Sequence, residues 1–345
     1  MRTPDNVLAS APRSGMGHER VRFSVVPQRP YSLALTAGRY TRFPEVVDRF
    51  DGRVYRRFLP VGRSGALLSV EQVGAPARAV LDVTMIGPQA GSPAARSAAE
   101  RIVHVALGAA QPVARFYRAF REDPVIGAAI RDFRGLRGAG VASLWEALVT
   151  AILAQQVNLQ FAYDIRRELA ETFGKRARFD GESFIAFPTP ESMAGETPGK
   201  LRRFRLSESK AKAIHGLARA FAAGSLGEAE IAALGDEAAI ERLTCFRGVG
   251  RWTAEIALLR GLGRTDIFPA GDLGVVKYLA QGLLGRKEKA KEDAMRRFAE
   301  RWKPWRGLAL VYGYAELNRR KAGSLPRPDP RGPRRVRGSA RSRED

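Results

Sequence analysis

The sequence predicts an α+β protein: an N-terminal antiparallel sheet domain with helices, then an all-α core. Two observations predict it. Between residues 54 and 107, short apolar runs alternate with polar residues and are separated by Gly-containing turns, the pattern of half-buried strands. From residue 111 onward the apolar spacing lengthens to that of amphipathic helices. The chain has 345 residues, 45% hydrophobic and 27% charged. That is globular composition, with length for two or three modest domains.

Residues 1–20 are polar, rich in small residues and without period; they are expected to be a disordered arm. Residues 21–110 are expected to form the N-terminal α/β domain. Residues 43–50 (FPEVVDRF) read as a short helix with Pro44 in its first turn. Residues 54–61, 67–73, 80–86 and 101–107 read as strands. The third is the clearest, because Leu81, Val83 and Met85 alternate with Asp82 and Thr84. His104 falls in the last of these strands with no His or Cys nearby, so a structural role is expected. Residues 111–320 are the helical core. Helices are expected from Val113, from Asp123-Pro124 through Ile130, and from Leu144. Ser143 with Glu146 three positions on is a capping-box pattern for the last. Leu144, Ala147, Leu148, Ala151 and Ile152 share its apolar face. It ends at Gln155-Gln156-Val157, and Asn158 caps a following helix that stops at Gly174. Residues 177–199 read as a long connection with one helical turn. Residues 207–224 return to an amphipathic helix. Residues 274–284, 287–298 and 304–317 read as the last helices. Residues 321–345 combine Pro, Gly and Arg without apolar period, the composition of a disordered basic tail. Such a tail can bind DNA loosely by counterion release or be merely solvated.

The formal net charge is +22 and the isoelectric point about 10.9, which favours a polyanionic partner. Basic residues also lie in the body of the chain, at Arg202, Arg203, Arg205, Lys210 and Lys212. A single cysteine, Cys245, excludes an internal disulfide and any cysteine-ligated cluster. It lies between apolar residues and is expected to be buried packing. No long apolar run or signal core occurs, so a cytoplasmic, nucleoid-associated protein without a membrane partner is expected.

The most informative stretch is residues 243–277. Asp236 and Glu237 suit the start of a short helix. Gly248 and Gly250 then bracket Val249 in a tight turn, and a second helix starts at Arg251 with Ala254, Ala257 and Leu258 at helical spacing. The hairpin is placed at residues 243–262. The unpaired amides and positive dipole end of the second helix suit a phosphate. Phe268-Pro269-Ala270-Gly271 cannot easily extend that helix, and Asp272 follows. Spacing alone leaves Asp272 as either a helix cap or a functional acid. Gln155 and Gln156 are equally open, since Gln is usually exposed. Trp252 and Tyr314 are core candidates on generic grounds.

The strings FRGVGRWTA (246–254), FPAGD (268–272) and RWKPWR (301–306) together resemble the helix-hairpin-helix DNA glycosylases, and within them the bacterial 3-methyladenine DNA glycosylase II, or alkylbase glycosylase, family. The resemblance spans roughly residues 25–320. It implies that Asp272 is catalytic, and that Trp252, Tyr314 and Gln155 border the pocket for an extruded base. It makes Gln156 the wedge that fills the duplex gap. It assigns phosphate binding to Gly248, Val249, Gly250, Arg251 and Thr253. It implies a monovalent cation held by the carbonyls of Cys245, Phe246 and Val249, with no cofactor required. Trp252 stands where lyase-active relatives carry a lysine, which implies a monofunctional hydrolase. The implied partner is double-stranded DNA with alkylated bases, and the protein is expected to act as a monomer.

The chemistry is consistent with one acid. Cleaving an N-glycosidic bond builds positive charge on the sugar, and a carboxylate beneath it stabilises that charge. An alkylated purine is already a good leaving group but must be flipped out of the stack. Aromatic walls can hold it. The sequence carries Ile256 where some relatives have an aromatic. Glu255 and Asp266 are the rival acids, expected to be solvated. The alternative function is a non-catalytic DNA- or damage-binding protein in which Asp272 only caps a helix.

Overall fold

The computed structural model describes residues 19–43 and 45–322, so most of the expected arm and nearly all of the expected tail lie outside the described residues. Five strands form one antiparallel sheet: β1 (Arg20–Val25), β2 (Asp48–Phe50), β3 (Val54–Leu59), β4 (Ala66–Val73) and β5 (Val80–Ile86), in the order β1-β5-β4-β3-β2. The expected alternation in β5 holds: Leu81, Val83 and Met85 are buried, whereas Asp82 is exposed. Helix α1 (Leu33–Ala37) follows β1, and α2 (Pro93–Arg101) follows β5. These elements enclose a cluster that includes Tyr31, Tyr55, Leu68, Leu81 and Val103.

Two expectations in this half fail. Residues 101–107 are not a strand: α2 runs on into a π-helical turn, Ile102–Ala106. Ser92 caps α2, Pro93 opens it, and the Ala-rich run after them nucleates a helix that carries the β-branched residues with it. His104 lies exposed on that turn, not in a strand. Residues 45–50 are not a helix either, and Pro44, expected in its first turn, lies outside the described residues. Asp48, Arg49 and Phe50 pair with Arg57, Arg56 and Tyr55 of β3. Glu45 turns inward, accepting from the Val46 and Val47 amides at 3.0 Å and from Arg166 at 2.6 Å. Strand pairing and ion pairing override a weak local pattern.

The rest is mostly helical: α3 (Val113–Phe120), α4 (Gly127–Asp132), α5 (Leu144–Ala154), α6 (Leu159–Phe173), α7 (Pro190–Ala194), α8 (Pro198–Arg202), α9 (Glu208–Ala222), α10 (Glu228–Ala233), α11 (Asp236–Thr244), α12 (Arg251–Gly261), α13 (Ala280–Gly282), α14 (Glu292–Ala299) and α15 (Arg306–Ala322). Their apolar faces meet in a second, larger cluster that includes Leu148, Ile152, Ile214, Leu258 and Tyr312. Residues 177–199 are more ordered than a connection. Strands β6 (Arg176–Phe179) and β7 (Glu182–Ile185) form a hairpin, and α7 and α8 follow, each capped by a threonine with proline behind it. Asp180-Gly181, both at positive φ, make the two-residue turn that such a hairpin favours.

A buried charge network joins the sheet to the helices. Arg57 on β3 donates to Asp48 at 2.7 Å and to Glu146 on α5 at 2.6 Å. Arg166 on α6 bonds Glu45 and Glu146 and lies 3.7 Å from Asp48. Ser143 accepts from the Glu146 amide at 3.1 Å, so half of the capping box forms. The Glu146 side chain goes to the two arginines instead.

Candidate active site

The hairpin forms as its glycines suggest. Helix α11 ends at Thr244, the chain turns through residues 245–250, and α12 starts at Arg251 with Gly250 at its N-cap. Val249 is buried in the helical core. Gly248 sits at φ +85°, and a Cβ there would meet the Ala213 Cβ on α9 at 2.5 Å; both geometry and space require glycine. Gly250 has open space around it. The first-turn amides of α12 have no intrahelical carbonyl to reach.

Gln155 ends α5, and its amide donates to the Gly248 carbonyl at 3.0 Å and the Thr253 hydroxyl at 2.9 Å. This side chain is therefore committed to the hairpin, and Thr253 is buried with its hydroxyl facing Gln155. Lys210 on α9 donates to the Leu153 and Gln155 carbonyls at 2.9 and 2.7 Å, and burial holds its ammonium below its ordinary pKa. Gln156 is exposed, at φ +54°. A left-handed backbone is uncommon for a residue other than glycine; Gln156 adopts it on the turn whose Gln155 bonds the hairpin.

Asp272 emerges from the buried segment of Ile267, Phe268 and Ala270. Its carbonyl accepts from the Val275 and Val276 amides at 2.9 Å, starting a π-helical turn, Gly274–Leu279. The half-buried carboxylate takes three further donors. Oδ1 accepts from the Gly274 amide at 2.8 Å and the Tyr314 hydroxyl at 3.1 Å; Oδ2 accepts from the Trp252 indole at 2.9 Å. Trp252 is on α12 and Tyr314 on α15, so three segments fix one carboxylate. Oδ2 keeps an unused lone pair. Burial, and then the Asp272 carboxylate, hold the Tyr314 hydroxyl far above its ordinary pKa, so it stays a donor. A Cβ on Gly274 would lie 2.1 Å from the Tyr314 oxygen and 2.8 Å from Asp272 Oδ1. Gly274 was not anticipated; the glycine two residues beyond the acid was the only signal.

The rival acids are structural. Glu255, expected to be solvated, is buried and pairs with Arg251 at 3.1 Å and Arg296 at 2.9 Å; burial holds its carboxyl above the ordinary value, against both arginines. Asp266 is not free either, being paired with Arg306 at 3.0 Å. Arg251 also grips Glu237 at 2.7 Å. Cys245, expected to be buried, is exposed, its thiol 3.4 Å from the Glu241 carbonyl: it caps α11 on the outer side of the turn, while Leu243 faces the core.

A glycine hairpin whose second helix and a following loop converge on one hydrogen-bonded carboxylate defines the class of helix-hairpin-helix proteins with a single site acid. Residues 149–304 match the family described as HhH-GPD superfamily base excision DNA repair protein. It is 32% identical to the "DNA-3-methyladenine glycosylase" of Bacillus subtilis (strain 168), over 57% of this chain and 65% of that protein. It is 35% identical to "DNA-3-methyladenine glycosylase 2" of Escherichia coli (strain K12), over 52% of this chain and 59% of that one. The chain thus spans under two thirds of the length of these relatives. Its fold is that of the "3-methyladenine dna-glycosylase from Archaeoglobus fulgidus", with a TM-score of 0.72, 24% identity and coverage of 87% of this chain and 98% of that one.

Proposed function

We propose that this protein is a monofunctional DNA glycosylase that flips alkylated purines of the 3-methyladenine type out of duplex DNA and hydrolyses their N-glycosidic bond in base excision repair. The observation that carries the reading is the triply bonded Asp272. A capping aspartate needs only the Gly274 amide; capping does not explain an indole and a phenol donor from two other helices. Holding the carboxylate in one orientation lets it face a developing positive charge on the sugar without reorganising. The hairpin amides grip the phosphate backbone, which carries no base identity. Gln156 fills the space the base leaves, and Gln155 and Lys210 hold that turn against the hairpin. Trp252 and Tyr314 border the base. The relatives' names and the basic charge support the substrate class.

In the same reading the enzyme needs no cofactor, acts as a monomer on damaged double-stranded DNA, and works in the cytoplasm. Among the described residues no helix is long and apolar enough to cross a membrane. The carbonyls of Cys245, Phe246 and Val249 would hold a monovalent cation at the turn; Phe246 already accepts from the Val249 amide at 3.0 Å and keeps one lone pair. Such a cation would draw phosphate toward the turn. The deciding experiment measures free bases released from methylated duplex DNA, with borohydride trapping alongside. Released 3-methyladenine without a trapped covalent complex is expected. Duplex binding with no base released would instead favour a damage-binding protein.

A further inference from the structure

We propose that Arg296 and Glu292, both on α14, are positioning residues for Asp272: with Glu255 of α12 they form a strap over the glycine that precedes the acid. The proposal rests on the glycosylase reading for what the acid does, though not for how it is held. The segment that carries Asp272 loses its anchor just before it. Ile267, Phe268 and Ala270 are buried, but Gly271 is exposed and Leu273 is 56% exposed. Glycine is the most permissive backbone link, and here it stands between the buried stretch and the acid. The nearest atoms on its Cβ side all belong to one side chain. A Cβ on Gly271 would meet Glu292 Oε2 at 2.7 Å and Cδ at 3.1 Å, so the Glu292 carboxylate lies against that glycine.

Glu292 is itself tied down. Arg296 donates to Glu292 Oε1 at 2.7 Å and, through its other terminal nitrogen, to Glu255 Oε1 at 2.9 Å. Glu255 is buried on α12, three residues after Trp252, whose indole donates to Asp272 Oδ2 at 2.9 Å. These contacts close a ring. Helix α12 reaches the acid directly through Trp252, and it reaches the residue before the acid through Glu255, Arg296 and Glu292. For Gly271 to move toward α14, it would have to displace a carboxylate tethered to a buried acid.

Ordinary helix chemistry explains part of this arrangement. An acid in the first turn of α14 suits the helix dipole, and an exposed Glu–Arg pair four residues apart contributes little to stability. Neither explains why Arg296 reaches across to a buried acid on another helix. Neither explains why the Glu292 carboxylate lies on the glycine next to Asp272.

The test compares the wild type with Glu292→Ala, Glu292→Gln, Arg296→Met and Gly271→Ala. Each is measured for single-turnover release of 3-methyladenine, affinity for an uncleavable duplex, and melting temperature. A misplaced acid lowers the rate rather than the binding. Glu292→Ala and Arg296→Met should each lose about tenfold in rate with affinity unchanged, and Glu292→Gln, which keeps an acceptor for Arg296, should lose less. Gly271 is not at positive φ, so what an alanine there meets is the Glu292 carboxylate. Gly271→Ala should therefore lose about tenfold alone but less than about twofold when added to Glu292→Ala. The Trp252 indole N–H, identified in NMR spectra by its loss in Trp252→Phe, gives a readout independent of catalysis: its exchange with solvent should quicken in Glu292→Ala and Arg296→Met. Should Arg296→Met melt early, Glu292→Ala decides, since it alters only an exposed side chain. Unchanged rate and unchanged indole exchange in Glu292→Ala would overturn the proposal, as would Gly271→Ala costing the same with and without Glu292. If the wild type releases no base, the glycosylase reading falls, and the indole exchange alone decides whether the strap holds the carboxylate.

Discussion

Replacing Asp272 by Asn keeps the shape and removes the charge. A carboxylate about 4 Å from a developing unit charge, at an effective dielectric of about 20, contributes about 4 kcal/mol, which is about a thousandfold in rate. The hydrogen bonds fix how Asn would sit. Oδ1 already takes two donors, from Gly274 and Tyr314, so the new amide nitrogen must replace Oδ2. There it opposes the Trp252 indole N–H, which is 2.9 Å from Oδ2. Two donors then face each other, at a further local cost of about 1–3 kcal/mol for an unsatisfied buried group. Asp272→Asn should therefore lower both the rate and the melting temperature. Adding Trp252→Phe removes the opposing donor and should return much of the melting temperature but none of the rate. The assay is single-turnover base release, with affinity for an uncleavable duplex as the control. A rate for Asp272→Asn within tenfold of wild type, at unchanged affinity, would refute the electrostatic role.

Other perturbations test the supports of the site. Gly274→Ala drives a Cβ to 2.1 Å from the Tyr314 hydroxyl, so activity should fall about a hundredfold by displacement of the acid; Tyr314→Phe added to it should recover part of that loss in the same kinetics. Gly248→Ala, at φ +85° and against Ala213, should cost about 1–3 kcal/mol in denaturant titrations and weaken binding to all duplex sequences alike, whereas Gly250→Ala should leave stability unchanged. Arg166→Met leaves Glu45 and Glu146 short of a buried partner and should cost about 3–5 kcal/mol; a loss under 1 kcal/mol would mean water reaches the network. Burial opposes ionisation of Asp48, but Arg57 and Arg166 outweigh it and hold its carboxyl below the ordinary value. Its contribution to stability is thus present above the unfolded pKa and lost as pH falls through the lower folded one. Asp48→Asn should flatten the dependence of the urea midpoint on pH below about 4, and an unchanged slope would remove Asp48 as its source.

The order in which the chain became legible follows the range of the forces. The hairpin, the acid after it and the caps at Ser143 and Asn158 are local: each depends on neighbours a few residues away, and the side chains that satisfy those needs stand in the sequence. Asp180-Gly181 is equally local, a turn pair that signals a hairpin within 177–199. The misread segments, 43–50 and 101–107, are those where a distant partner or an adjoining helix outweighed a short pattern.

What the amino-acid order determined by itself was the class of fold, the glycine turn and Asp272 as a candidate acid. What only the tertiary structure decided was how that acid is held and which charges are spent elsewhere. Trp252, Tyr314 and Gly274 meet Asp272 from three segments, while Glu255 is consumed by Arg251 and Arg296. Arg39 and Arg260 stand more than two hundred positions apart yet share one carbonyl. The physical reason is that a hydrogen bond or an ion pair is set by separation in space, and folding alone brings such residues within 3 Å.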